Sequence, residues 1–292
     1  VGESGSGKSL TARAILGLVP RRIGRIARGQ VLFGGRDLVK LREAELQKVR
    51  GDEISMIFQE PMTALNPVKT IGQQITGVLK LHQQMSGPKR IARALELLDL
   101  VGISDPSARI DTYPHQLSGG MRQRAMIAMA LACEPKVLLA DEPTTALDVT
   151  VQAQVMDLLN RLRKELGMSM ILITHDFGLV AEAAQRVVVM YAGSKVEEGS
   201  VGEIFRNPLH PYTKGLLAAT PRPEKGARAR RQRLTTIEGV VPPLSMLPNG
   251  CAFAPRCEKS FYQCKAEAPA SKMVGPQRDV ACFVAQNEAV VP

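Results

Sequence analysis

An α/β fold built on a parallel sheet covered by helices on both faces is what this sequence predicts, and three observations predict it. Short, wholly apolar runs at 137–140, 170–173 and 187–190 read as buried strands. Helix-periodic segments separate them, and strands that alternate with helices close as parallel neighbours joined by crossovers. At the start of the chain a Gly-rich stretch runs straight into a helix, the arrangement expected where a strand hands over to a helix through a tight loop.

In order, residues 8–19 read as that helix, with Leu10, Ala14, Ile15 and Leu18 at helical spacing. The strand that would feed the loop is absent, and the chain, which begins at Val1 without an initiator Met or an apolar signal segment, reads as cut rather than processed. Residues 31–33 and 54–58 are short apolar strand candidates, while 71–81 and 91–101 carry helical periodicity, so that about 62–133 is expected to be a helical insert. Strand 137–140 is followed by a helix with the apolar face Val151, Val155, Leu158, Leu159, Leu162 and Leu166, then by strand 170–173, helix 177–184 and strand 187–190. After Gly199 the alternation ends, which divides the chain into a core, 1–199, and a C-terminal extension, 200–292. Within the extension, residues 220–234 hold Arg222, Lys225, Arg228, Arg230, Arg231 and Arg233 against Glu224, with Pro221 and Pro223 leading and no apolar period. This reads as an exposed basic linker into a Cys-bearing tail. No internal repeat is present.

At 292 residues the chain is long enough for about two domains, and 45% hydrophobic with 23% charged residues excludes a wholly disordered or fibrous chain. Its longest apolar stretches, 125–132 and 187–192, fall well short of the roughly 18 residues a membrane-crossing helix needs. The net charge of +10 favours an anionic partner such as a nucleotide, a nucleic acid or a lipid surface. Linker 220–234 contains no aromatic residue to stack on bases, so it reads as a solvated or lipid-facing charge run rather than a nucleic-acid site.

Gly2, Glu3, Ser4, Gly5, Ser6, Gly7, Lys8 and Ser9 match the P-loop pattern, with Leu10 behind them in the first helical turn. Glycines let successive backbone N–H groups converge on phosphates, the helix N-terminus adds positive potential, Lys8 reaches the β- and γ-phosphates, and Ser9 can ligate Mg²⁺. Asp141, at the exit of strand 137–140, stands where a Mg²⁺ partner is needed, and Glu142 is then placed to polarise an attacking water as general base. Leu117, Ser118, Gly119, Gly120 and Met121 open another helix, with Ser118 as its N-cap, and make a second anion-binding helix start.

With these motifs the chain resembles the ATP-binding subunits of ABC transporters, whose LSGGQ signature is presented by one subunit to the ATP held by another. Met121 stands where Gln is usual, a departure that leaves the Ser and both Gly intact and is itself similar to peptide-importer subunits. The resemblance implies further roles: Gln59 senses Mg²⁺ and the permease, Asp148 is the aspartate of the Ala146-Leu147-Asp148 loop, and His175 contacts the γ-phosphate. Asn207-Pro208-Leu209-His210-Pro211-Tyr212-Thr213 is similar to the C-terminal extension of oligopeptide and dipeptide importer ATPases, and His210 is given no chemistry. Cys251, Cys257, Cys264 and Cys282 lack the paired spacing of common zinc sites. Four thiolates suit a [4Fe–4S] cluster or a structural zinc, or stay free or disulfide-linked; the resemblance implies the cluster, in a structural role.

As a whole the resemblance implies a P-loop ABC-type nucleotide-binding domain with a helical subdomain and a small Cys-bearing extension. The implied function is ATP hydrolysis driving import of di- or oligopeptides at the cytoplasmic face of the cell membrane. The implied partners are a second ATPase subunit, two transmembrane permease subunits and a separate substrate-binding protein, with residues 60–67 as the surface coupling to the permeases. An upstream aromatic would stack on adenine. Nickel-chelate import is an alternative within the family. An ABC-type ATPase acting on DNA would carry a long coiled coil or zinc insertion, and a non-catalytic subunit would lack Glu142 or His175.

Overall fold

The computed structural model describes residues 1–20, 22, 24–145, 147–220 and 236–288. Apart from Thr220, the basic linker 220–234 lies outside them, as does Ala146. The chain divides into two compact units, Ser9–Ile173 and, together, Val1–Lys8 and Thr174–Pro292.

Unit Ser9–Ile173 is built on a parallel sheet in which Val137–Asp141 lies between Ile54–Ile57 and Ser169–Ile173. These are three of the apolar runs read from the sequence, and the central strand is apolar because both faces are covered. Ile54, Met56, Leu139 and Ile173 pack with Ala12, Leu16, Leu38, Leu46 and Val49. The first helix, Lys8–Ile15, is shorter than expected from its apolar period. Gly17, in the left-handed region at φ 62°, ends it: the Leu18 N–H bonds back to the Arg13 carbonyl and that of Gly17 to Ala14, which satisfies the last turn's carbonyls. Of residues 31–33, Leu32–Phe33 forms a short strand, pairing antiparallel with Arg36–Asp37 across a tight turn in a two-stranded sheet.

Helices Ile71–His82, Gly87–Leu100 and Gly119–Ala130 follow, their apolar sides buried through Ile75, Leu79, Leu97, Leu98, Met126 and Ile127. Helix Ile71–His82 starts in a capping box: Thr70 accepts from the Gln73 N–H and the Gln73 side chain accepts from that of Thr70. Helix Val149–Glu165 buries Val155, Met156, Leu158, Leu159 and Leu162.

In the other unit the expectation for 187–190 is corrected. Arg186–Tyr191 turns back through Ala192 and Gly193, at φ 45° and 82°, into Ser194–Ser200, and the two pair antiparallel. Two successive left-handed residues make the turn whose twist matches a hairpin, and a buried apolar run looks the same in sequence whichever way its neighbour points. A trace of parallel pairing survives on the other edge, where the Met190 N–H donates to the Val1 carbonyl at 2.8 Å. Arg278–Val280 and Lys272–Gly275 extend the same sheet beyond Ser194–Ser200. The tail joins the core of this unit through Phe253, which packs among Val187, Val189, Tyr191, Ile204 and Tyr212, while Val280, Cys282 and Ala285 form a small buried cluster of their own.

Candidate nucleotide site and cysteine pocket

In unit Ser9–Ile173 the parallel ladder delivers Asp141 to the end of its strand with 1% of its surface exposed. The Ser9 hydroxyl donates to Asp141 Oδ1 at 2.8 Å, joining two residues that lie 132 positions apart. Glu142 leaves the strand at φ 47°, a left-handed conformation rare outside glycine, while its N–H still donates to the Ile173 carbonyl. Its Oε2 accepts from Gln59 Nε2 at 3.1 Å and from Thr145 Oγ1 at 2.9 Å. Gln59 and Glu142, both singled out in the sequence, are thus brought together, whereas Thr145 had no sequence signal.

Ser118 caps helix Gly119–Ala130 as expected, accepting from the Met121 N–H at 3.3 Å, and Ser118 and Gly119 are exposed. Gly120 sits close against Val151, whose Cγ1 would lie 3.1 Å from an added Cβ. Gln123 was missed. It is 2% exposed, and its side-chain amide donates to the Pro143 carbonyl, tying the signature helix to the loop just after Glu142. A polar residue beside the apolar run 125–131 was the signal available. Asp148 acts as the N-cap of helix Val149–Glu165, accepting from the Val151 N–H at 3.0 Å.

The loop ahead of Ser9 belongs to the other unit. Gly2 is required there, because a Cβ would lie 2.2 Å from the Met190 carbonyl oxygen. Lys8 is buried and curls back over the loop, donating to the carbonyls of Gly2 at 2.7 Å and Glu3 at 2.9 Å and to Ser6 Oγ at 3.4 Å. Ser6 and Gly2 are buried, Gly7 is half-buried, and Ser4, Gly5 and Leu10 are exposed. His175 is exposed just before helix Phe177–Ala183, which Asp176 caps.

Also in this unit, Cys251, Cys257, Cys264 and Cys282 line one pocket, walled by His210, Phe253, Lys259 and Phe283 among others. The Cys251 N–H donates to the Cys264 carbonyl at 2.8 Å, and Gly250 lies so close to Cys264 that a side chain would strike its carbonyl. Burial pushes the Cys251 and Cys257 thiols up, and the neighbouring charges of Cys264 and Cys282 push the same way. All five cysteines are unbridged. Among the described residues, no three Cys, His, Asp or Glu side chains converge as a single bound ion requires. Cys133 lies outside the pocket, half-buried.

A Gly-rich loop opening a helix whose second residue bonds the aspartate ending a buried parallel strand defines a P-loop nucleotide-binding protein of the α/β class. The comparisons narrow this: residues 1–145 match the ABC transporter family, and residues 196–264 match the C-terminal region of oligopeptide/dipeptide transporters. The chain is 52% identical over 290 residues to a putative peptide import ATP-binding protein of Brucella melitensis, covering 97% of this chain and 86% of that one. It is 49% identical over 292 residues to the dipeptide transport ATP-binding protein DppD of Escherichia coli, covering 100% and 88%. Among solved structures it resembles the dimeric, post-hydrolysis ATP-binding cassette MJ0796 bound to ADP and Pi, at 33% identity and TM-score 0.61 over 68% of this chain and 83% of that one. The chain belongs to the ATP-binding proteins of the ABC transporter family, whose members use Mg²⁺ with ATP and hydrolyse it. No helix among the described residues is long and apolar enough to cross a membrane.

Proposed function

We propose that this chain is the ATP-hydrolysing subunit of an ABC importer for di- or oligopeptides, held at the cytoplasmic face of the membrane by two permease subunits. It works with a second ATPase subunit and a separate substrate-binding protein. The ATPase core is assigned to residues 1–199, with the helical insert at about 62–133, and the importer-type extension to 200–292. The observation that carries the reading is the joining of distant motifs, Ser9 with Asp141 and Gln59 with Glu142.

In this reading Gly2, Glu3, Ser4, Gly5, Ser6 and Gly7 wrap the phosphates with backbone N–H groups, and Lys8 moves from its loop carbonyls to the β- and γ-phosphates. The Ser9 hydroxyl and the Asp141 carboxylate are hard oxygen donors suited to Mg²⁺, and Gln59 completes its surroundings. Held by Ser9 and Asp141, Mg²⁺ would supply positive charge that offsets the phosphate oxygens. Glu142, its carboxylate steadied by Gln59 and Thr145, accepts the proton of the attacking water, and His175 contacts the γ-phosphate. Leu117, Ser118, Gly119, Gly120 and Met121 serve the ATP of the neighbouring subunit, with Asp148 beside them. Glu142→Gln is expected to leave Mg-ATP binding intact and to cut hydrolysis by about 100-fold or more, the scale of a lost general base. Unchanged turnover would remove Glu142 from this role, and lost binding would move it to metal ligation.

The cysteine pocket supports a [4Fe–4S] cluster held by Cys251, Cys257, Cys264 and Cys282. All four thiols line one pocket, and four thiolates are the ligand set that such a cluster, or a structural zinc as the alternative, would take. Its role would be to crosslink the turns of the tail.

A further inference from the structure

Glu3, the second residue of the phosphate-binding loop, is held at each of its three polar groups, its N–H and its carboxylate by the C-terminal extension. Its carbonyl accepts from Lys8 within the loop. Its N–H donates to the Tyr212 hydroxyl at 2.8 Å. Its carboxylate takes a two-pronged bond from Arg256, Nη1 to Oε2 at 2.8 Å and Nη2 to Oε1 at 3.1 Å. Arg256 closes the short helical turn Ala254–Arg256 between Cys251 and Cys257. It is itself fixed: Nε donates to the Glu238 carbonyl at 2.8 Å, Nη2 to that of Ile237 at 3.1 Å, and its guanidinium lies over the rings of Tyr191 and Phe253, 5.8 and 5.9 Å from their centroids. Only 4% of the Arg256 side chain is exposed, against 31% for Glu3. The bonds to Glu3 are the main reason that the Arg256 pKa lies above its ordinary value.

We infer that Arg256 is a positioning residue for the nucleotide site: gripping Glu3 from the cysteine-bearing extension, it holds the phosphate-binding loop in its binding shape, so that ATP affinity depends on the tail. The inference rests on the P-loop reading given above. A loop of glycines loses much backbone freedom when it closes on phosphates, and a loop already pinned at its second residue loses less. Arg256 does the pinning with a fork that a lysine cannot reproduce, since an ammonium is a point charge. Neither Arg256 nor the Glu3 carboxylate is assigned to the reacting phosphoryl group, so the effect falls on binding rather than on the chemical step.

The test is ATP binding and steady-state hydrolysis by the full chain carrying Arg256→Ala, Arg256→Lys, Glu3→Gln, or Arg256→Ala with Glu3→Gln. Arg256→Ala and Glu3→Gln are each expected to raise the Kd and KM for ATP about tenfold, the scale of a partly exposed, charge-assisted fork, with kcat at saturating ATP within about twofold of the parent. The double variant should bind no worse than the singles, because both remove one interaction, and Arg256→Lys should fall between Arg256→Ala and the parent. Glu3→Gln leaves the bonds of Arg256 to Glu238 and Ile237 in place, so it carries the test alone if Arg256→Ala unfolds the tail. Singles that bind ATP within twofold of the parent, or losses that multiply in the double variant, would overturn the inference. Lys8→Ala run alongside separates the two readings: it loses binding if the P-loop assignment holds, whatever Arg256 does, and parent-like binding by Lys8→Ala would overturn the nucleotide site itself.

Discussion

His210 caps helix Pro211–Ala219 with its own ring, Nδ1 accepting from the Tyr212 N–H at 3.0 Å, while its backbone N–H donates to Glu197 Oε2 at 2.9 Å. Burial brings its pKa down from 6.5 to about 3, so the folded chain keeps this imidazole neutral. The unfolded chain takes up a proton below pH 6.5 that the folded chain refuses until about pH 3, so stability falls as pH drops through that window, with a limiting slope of about 1.4 kcal/mol per pH unit. Urea unfolding between pH 7.5 and 5 should show this loss. His210→Asn keeps a cap acceptor without a titrating ring, and its profile should lack that share of the slope. A His210→Asn slope as steep as the parent's would place the acid sensitivity elsewhere. His210 starts the helix that carries Tyr212 to Glu3, a capping role that its place between Pro208 and Pro211 did not announce.

At the scale of elements, legibility depended on length and apolarity. Strands 54–57 and 137–141 were readable because each is a buried apolar run, and 169–173 because Met170–Ile173 is continuously apolar, although Ile171 at this edge of the sheet is 45% exposed. Strand Arg278–Val280 was not, being three residues that include Arg278 and Asp279. What holds it is a buried ion pair, Arg278 Nη2 to Glu197 Oε1 at 3.0 Å, with Glu197 fully buried and also accepting from the backbone of Leu209 and His210. Breaking such a pair typically costs about 3–5 kcal/mol, because it leaves an unpaired buried charge. The sheet therefore anchors the tail's C-terminal half independently of any metal, which sharpens what a cluster does. Protein purified without oxygen should be brown, with about four irons and four acid-labile sulfides per chain. Replacing any one of Cys251, Cys257, Cys264 or Cys282 by Ser should bleach it and open residues 251–271 to proteolysis while 272–280 stay protected, and Cys133→Ser should do neither. Stoichiometric zinc without labile sulfide would replace the cluster with a structural ion, and an intact tail with no metal would remove both.

Over the whole molecule, the residues legible in sequence were those whose chemistry is local: a Gly-rich loop, a carboxylate at a strand end, a serine at a helix start. The grip of Arg256 on Glu3 was not, since residues 253 positions apart share no spacing and an arginine in a Cys-rich tail looks like any other surface charge. The signature is the motif whose partner lies outside one chain. Ser118 and Gly119 are exposed at the start of helix Gly119–Ala130, as a surface offered to another subunit should be. If the signature serves a neighbour's ATP, Lys8→Ala and Ser118→Arg should each abolish hydrolysis, but for different reasons. Lys8→Ala loses nucleotide binding, whereas Ser118→Arg keeps it, because losing a cap costs only about 1 kcal/mol and leaves its own loop untouched. A mixed dimer pairs the intact loop of the Ser118→Arg chain with the intact signature of the Lys8→Ala chain, which restores one of its two sites. Equal mixing, after exchange of subunits, should therefore recover about a quarter of the parent activity if the sites act independently, since half the dimers are mixed. Where the second ATPase subunit is a different chain, each substitution is placed in one defined subunit and the same logic holds site by site. Dimers that form from the two variants yet hydrolyse nothing would show that Ser118 acts within its own chain.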